Sequence, residues 1–495
     1  MATFPFIGSS YVYRSLPFDC QRSVNLYPVK SETGTSKSIV AMQGTPGLSA
    51  FITLPDNPIR GSIAINGRTF FIAGNKLYET FIDRTYTLRG TLNSSTGTIS
   101  VDDNGFQLCI VDGPNGYIFT LSTNVFQVIT DPYFLGADTV TFLDGYFVFN
   151  KPDSQIYYIS ALYDGLTGDP LDFASAEGSP DNLVAVKTVH QQCWLFGQST
   201  VQIVYNSGGA DFPLTVVQGS LIQYGCAAPA SVAQSANTVF WLGQDDQGNG
   251  MVWMANGYQP QRISTHAVEY AIQQYANITD AVAYTYQEDG HYWYILNFPT
   301  ANTTWCFDIE LQQWHERAYF FNGAYSRGRP NNHVFAYNKH LVGDYESGII
   351  YQQSLNILSD NGVPIRRMRT APHISDDLEY IYHTSLQIDM QTGVGQGVPA
   401  LDGAFDDGFD DGFDIGSAIT NPDVDPQVML SWSSDGARTF SSERWTSAGR
   451  VGAYTQRVIW RRLGRARDRV YRVVITAGVK VFIIAAHIHT EKGTN

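Results

Sequence analysis

Seven arginines and one acid, Asp468, occupy RVIWRRLGRARDRVYRVVIT, residues 457–476, so this window carries +6. The whole chain carries −15, which leaves −21 outside the window. Arginine forks suit carboxylates and phosphates alike, so the chemistry on offer is anion recognition. Alternation in RVIWRR puts Val458 and Trp460 on one strand face and Arg457, Ile459 and Arg461 on the other. VYRVVIT resumes a strand with Tyr471, Val473 and Ile475 aligned, and in the extended connection Arg465, Arg467 and Arg469 point one way. Arg461, Arg462, Arg465, Arg467 and Arg469 are therefore candidate contacts to a partner or a second subunit. Three roles stay open: contact with a protein, a solvated or internally paired strand, and contact with a DNA backbone.

A second cluster is acidic. AFDDGFDDGFD repeats every four residues and brings Asp406, Asp407, Asp410, Asp411 and Asp414 together. Calcium takes six to eight oxygen ligands, but this spacing fits neither an EF-hand loop nor the glycine-rich nonapeptide repeat. A loop that orders against a partner is the better reading, and Asp406, Asp407, Asp410 and Asp411 join the candidate interface. SSDGARTF, residues 433–440, resembles the Asp-box turn S-x-D-x-G-x-T-W/F, with Ala437 where glycine is usual. It predicts a hairpin whose aspartate bonds the turn backbone and whose aromatic plugs the fold. His487 and His489 share one strand face but lack a nearby third ligand. No P-loop, G-x-S-x-G, H-E-x-x-H or nucleotide fingerprint occurs, and no carboxylate pair can be singled out for glycoside hydrolysis. The chain is expected to be no enzyme, with no catalytic residue, cofactor or metal.

The elements that position these residues are strands. Aromatics make up 13% of the 495 residues, charged residues 16%, and there are 45 glycines, a composition for short strands and tight turns. A chain this long forms two or three domains. The acidic balance argues against general nucleic-acid binding. Five scattered cysteines without a C-x-x-C pair fit reduced, buried thiols. No signal peptide and no membrane-spanning run is read, so the chain is expected to be made and used from a cytosolic compartment, without a membrane partner.

Residues 1–58 look irregular and are expected to form an arm packed on another domain or subunit. From residue 59 a hairpin rhythm begins, with turns near residues 67, 105, 145, 191, 237, 290 and 338. About four short strands per unit at this spacing indicate a β-propeller over 59–360. Seven units are counted, six being the alternative. In ISTHAVEYAIQQYANI, Ser264 or Thr265 caps a helix whose Val268, Ala271, Ile272 and Tyr275 share one face. The rhythm stops near residue 361, and 361–495 reads as a second, β-rich domain holding the acidic Gly/Asp loop 393–427. The fold class is all-β.

The ribbon, with SWSSDGARTFSSERW upstream, resembles the C-terminal region of the packaged-DNA-stabilisation proteins of short-tailed bacteriophages, also called tail hub or nozzle proteins. CQRSVNLYP…QGTPGL and RG…NGRTFFIAGNKLY are similar to the same family near the other end. The resemblance implies a structural role in the virion tail after assembly in the host cytoplasm. Six copies would form a ring below the portal and its head-to-tail adaptor, prolong the DNA channel, help retain the genome, and carry a fibre, spike or plug. Double-stranded DNA would pass through without specific binding. The arm and C-terminal domain would form a platform making the ring and adaptor contacts. The ribbon of one chain and the acidic loop of the next are one pairing that would close such a ring. A propeller that binds host glycans as a tail adhesin is the alternative.

Overall fold

Each of the seven turns joins two successive antiparallel strands in a computed structural model, and five of these hairpins open separate four-stranded sheets. The structure describes residues 2–176, 178, 181–209, 211–235, 237–244, 248–377, 379–395 and 423–492. Five of the hairpins place two successive residues at positive φ: Asn66-Gly67, Asp144-Gly145, His190-Gln191, Asp289-Gly290 and Tyr337-Asn338. That is the backbone of a two-residue turn whose twist matches its strands. Among the described residues these blades number seven, at 59–91, 100–128, 140–175, 183–216, 233–262, 282–321 and 330–354. The strand Gly47–Thr53 pairs with the last of these and completes its fourth place. This is a seven-bladed β-propeller, closed by a strand from the N-terminal side.

The chain divides into two compact units. The propeller unit comprises Leu48–Tyr319 and Tyr325–Ser354. Six of its seams are apolar. Phe70, Ile72, Leu108 and Phe119 fill the first, and Trp194, Phe196, Trp241 and Trp253 fill the fourth. The seam between the sixth and seventh blades is built differently, from Tyr284, Tyr286, His333 and His340. The first strands of the blades surround a narrow channel of ≈ 200 Å³, lined in part by Ser62, Thr139, Lys187 and Asn332. The helix His266–Gln273 is capped by Thr265 and buries Val268 and Ile272, as its spacing predicts. All five cysteines are free and buried. Among the described residues no helix is long and apolar enough to cross a membrane.

The second unit comprises Met1–Gly47, Phe320–Ala324 and Leu355–Asn495. It is a β-sandwich. One sheet runs in the order Leu26–Lys30, Val40–Gly44, Phe482–Lys492, Ile381–Met390 and Val458–Arg461. The other runs Cys20–Val24, Arg367–Thr370, Asp468–Ile475, Gln427–Ser433 and Arg444–Ser447. Leu26, Met42, Leu386, Val428, Trp460, Val473 and Ile483 share its core. The expectation of an irregular N-terminal region is corrected here: residues 2–53 hold six strands. Tyr11–Val12 pairs with Cys20–Val24 and Leu26–Lys30 with Val40–Gly44, while Ala2–Phe4, Cys20–Val24, Val40–Gly44 and Gly47–Thr53 also pair with strands hundreds of residues away, so no regular period announces them.

Candidate functional site

The ribbon changes sheets halfway along. Val458–Arg461 pairs with Ile381–Met390, setting Arg461 opposite Ser385 and Trp460 opposite Leu386. After a break at Arg462 (φ 58) and Gly464 (φ 78), Arg465–Ala466 returns to the same strand, opposite Tyr382 and Ile381. Asp468–Ile475 then lies in the other sheet, between Arg367–Thr370 and Gln427–Ser433. Val458 and Trp460 are buried, and the Trp460 indole N–H donates to the Arg444 carbonyl at 2.9 Å.

Arg461, Arg462, Arg465 and Arg467 are exposed. None of the four is paired with a carboxylate among the described residues. The Arg465 and Arg467 guanidinium groups lie 4.7 and 4.6 Å from the centre of the Tyr380 ring. Arg457 donates to the Gln387 side-chain oxygen at 2.6 Å. A broken edge strand carrying unpaired cations resists pairing with another sheet edge, while its guanidinium forks stay free to bind anionic groups.

Arg469 does not stand with Arg465 and Arg467, contrary to the expectation. It is 2% exposed and falls on the inward side of its strand with Tyr471, Val473 and Ile475. The crossing between sheets resets the alternation. Its guanidinium donates to the Leu463 carbonyl at 2.9 Å and lies 5.6 Å from the Trp432 ring centre, and burial lowers its pKa. Asp468, the ribbon's one acid, is bound to His373 at 2.8 and 2.9 Å. The other His373 ring nitrogen faces the Leu16 carbonyl at 2.8 Å. With an acceptor at each nitrogen, the ring is held as a double donor. Cys20 first, then Asp468 and the Leu16 carbonyl, push its pKa up to about 10 against the opposing cost of burial.

The acidic candidates Asp406, Asp407, Asp410 and Asp411 lie outside the described residues. In the Ser433–Phe440 turn, Asp435 accepts from the backbone N–H groups of Arg438 and Thr439, each at 3.0 Å. Those bonds, with Ser433 and Thr439 hydroxyls, hold its carboxyl well below the usual range. Phe440 is half-buried rather than a plug, with the Arg472 guanidinium 3.4 Å from its ring centre. His487 and His489 sit opposite Gln387 and Ser385. Among the described residues no group of three or more His, Cys, Asp or Glu could hold a metal.

Two buried structural arginines escaped sequence reading. Arg369 is fully buried, and its guanidinium donates to the Phe6 carbonyl (2.7 Å), the Ser9 carbonyl (2.8 Å), Ser23 Oγ (2.9 Å) and Gln21 Oε1 (2.5 Å). Burial lowers its pKa to about 9. Arg367, also buried, donates to the Ala477 carbonyl at 3.2 Å. The alternation in RRMRT, residues 366–370, is the signal that marks both as one face of a strand.

Charge divides with the units. Of 31 Lys and Arg, 12 lie in the propeller unit against 27 of the 46 Asp and Glu, so it carries the whole −15. The sandwich unit holds the remaining 19 of each sign, and six of its acids lie in the Asp-rich stretch 402–414.

Comparison with known proteins gives a coherent result. Residues 3–357 match the family model described as bacteriophage P22 Gp10, β-propeller, and residues 366–491 match the one described as bacteriophage P22 Gp10, β-sandwich. Among solved structures, the N-terminal domain of Nup159 is 9% identical over 67% of this chain and 98% of its own, with a TM-score of 0.39. The extracellular domain of the BT4673 hybrid two-component system of B. thetaiotaomicron is 8% identical, with a TM-score of 0.42. That alignment covers 62% of this chain, which spans 39% of the BT4673 domain's length. A search of curated proteins found no match.

Proposed function

This chain belongs to the bacteriophage P22 Gp10 family and is a structural phage tail protein, and on that premise we propose that it acts as a tail hub or nozzle. In this reading about six copies close a ring below the portal and its adaptor. The ring prolongs the DNA channel, helps keep packaged DNA inside and docks a tail appendage, without catalysis. The observation that carries the reading is the match of both units to one family, from residue 3 to residue 491.

The charge distribution supports it. A ring of six such chains sums to roughly −90, all of it on the propellers. Walls of that sign repel DNA and let it slide, which suits a conduit better than a DNA-binding protein. The arginine face is then a contact for protein rather than for nucleic acid.

The test uses DNA-filled heads that carry portal and adaptor but lack this protein. Adding the purified chain should give co-sedimentation at about six copies per head and a higher fraction of retained DNA. Failure to bind such heads would overturn the hub reading and turn attention to glycan binding.

A further inference from the structure

We propose that the exposed arginines of the sandwich dock on an acidic, aromatic patch formed by the second and third propeller blades of a neighbouring copy. The inference rests on the reading of the chain as a ring-former, and it names the two surfaces that meet.

The patch is local and built. The blade-two hairpin carries Phe106 and the blade-three loop carries Leu162 and Tyr163, which are 65%, 56% and 50% exposed. The Phe106 and Tyr163 rings meet edge to face, with centres 6.0 Å apart. Two bonds hold the loop: the Gly165 N–H donates to Gln107 Oε1 at 2.8 Å, and the Tyr163 N–H donates to the Gly145 carbonyl at 2.7 Å. Tyr163 sits at φ 56, a left-handed conformation uncommon for so bulky a residue. Gly145 sits at φ 98, a conformation L side chains rarely adopt, and a Cβ there would stand 2.5 Å from the Leu162 tip and 3.2 Å from Tyr163, so the loop packs close over a glycine. Strain of this kind persists where the surroundings impose it, and it concentrates at functional sites.

Acids flank the apolar centre in sequence. Asp144 is exposed, Asp103 and Asp164 are half-buried and accept bonds from their own turns, and none of the three is paired with Lys or Arg among the described residues. The wider region has the same sign: residues 90–176 contain ten aspartates and one basic residue, Lys151.

The arginine face is its complement. Arg461, Arg462, Arg465 and Arg467 are exposed and lack carboxylate partners among the described residues. Guanidinium groups gain both from carboxylates and from aromatic faces, and arginine and tyrosine dominate interface energetics. Two different surfaces on one chain make a head-to-tail contact, which closes a ring when the rotation permits.

Charge swapping tests the pairing in the full-length chain. Variant one carries Arg465→Glu and Arg467→Glu; variant two carries Asp144→Arg. Association is read by sedimentation velocity, and copies per head by loading onto heads that lack the protein. Unchanged thermal unfolding of each variant shows that it folds. Each variant alone should self-associate at least about tenfold more weakly than the wild type. A 1:1 mixture should recover association, because the carboxylates introduced into one variant's ribbon then meet the guanidinium introduced into the other's patch, while the unaltered ribbon meets the unaltered patch. Wild-type affinity in either variant, or a mixture no better than its components, overturns the contact. So does a deletion of residues 402–414 that abolishes association while Asp144→Arg leaves it intact, since the Asp-rich segment would then be the arginines' partner. Variants that lose self-association while single copies still bind heads separate this contact from the hub reading. Wild-type protein that neither associates nor loads in more than one copy overturns it too.

Discussion

The two units close themselves in opposite ways. Each propeller blade is made from strands adjacent in sequence, and only the strand Gly47–Thr53 comes from elsewhere, to complete the seventh. The sandwich joins residues 2–44 to residues 359–492. Three of its pairings, those of Ala2–Phe4, Cys20–Val24 and Val40–Gly44 with C-terminal strands, span more than three hundred residues, and such closure has a larger entropic cost before any contact forms. The propeller meets that cost in small steps with apolar seams. The sandwich adds a buried cation that binds four groups of the N-terminal segment at once. Long-range closure, in this chain, is fastened by directional bonds.

Arg369→Met should therefore break the comparison most visibly. Methionine keeps apolar bulk but leaves the Phe6 and Ser9 carbonyls, Ser23 and Gln21 without their donor. A buried acceptor left unpaired costs roughly 1–3 kcal/mol, so a loss of about 3 kcal/mol or more is expected in the sandwich. Limited proteolysis should cut within residues 5–24 faster, while fragments from the propeller survive as before. Equal cutting rates in the variant and the parent would show that the clamp is not what fastens the segment.

The same contrast explains what could be read from the sequence. The seven turns were legible because Asn-Gly, Asp-Gly and similar pairs demand positive φ at fixed intervals, and a propeller repeats them locally. The strands Ala2–Phe4 to Val40–Gly44 were not, because they are short and three of them, Ala2–Phe4, Cys20–Val24 and Val40–Gly44, are completed by distant partners. Of the candidate arginines, Arg461, Arg462, Arg465 and Arg467 are exposed as read. Arg469 is not, because alternation gives two faces of a strand without saying which one the opposite sheet covers. Arg367 and Arg369 carry the same strand alternation as the ribbon and are buried for the same reason.

Acid and base should sharpen the comparison next. In the seam between blades six and seven, His333 Nε2 and His340 Nδ1 are 3.0 Å apart, packed on Tyr284 and Tyr286. Burial, then the neighbouring His340, lowers the His333 pKa to about 3, and burial lowers that of His340. Both lie below the unfolded value of about 6.5, so the unfolded chain binds more protons. Stability from this seam is whole above about pH 6.5 and is lost as pH falls toward 3. His373 runs the other way. Its folded pKa of about 10 exceeds the unfolded value, so its contribution is whole below about pH 6.5 and is lost as pH rises through 10. Between pH 7 and 4 the propeller should lose about 2–3 kcal/mol that His333→Gln does not lose. Between pH 7 and 10 the sandwich should lose a comparable amount that His373→Gln abolishes. Thermal unfolding across pH, followed by tryptophan fluorescence and by proteolysis of each unit, checks both. Matching pH profiles for parent and variants would remove these histidines from the account.

The smallest expected effect lies in a turn. The propeller hairpins meet positive φ mostly with Asn, Asp and Gly, whereas the sandwich turn at 433–440 sets Ala437 at φ 66. A left-handed L-residue costs roughly 1–2 kcal/mol, and replacing it with glycine gives back about 0.4–1 kcal/mol through the entropy of the unfolded chain. Ala437→Gly should then stabilise the sandwich by about 0.5–1 kcal/mol, a small rise in its unfolding midpoint. The Asp435 bonds to Arg438 and Thr439 hold the turn closed, so the gain depends on relief at Ala437 alone. A midpoint that does not rise would mean that the Asp435 turn already accommodates alanine without strain. The sandwich turn would then carry alanine as the propeller hairpins carry His190, Gln191 and Tyr337, and the sandwich's instability would reside in long-range closure rather than in local geometry.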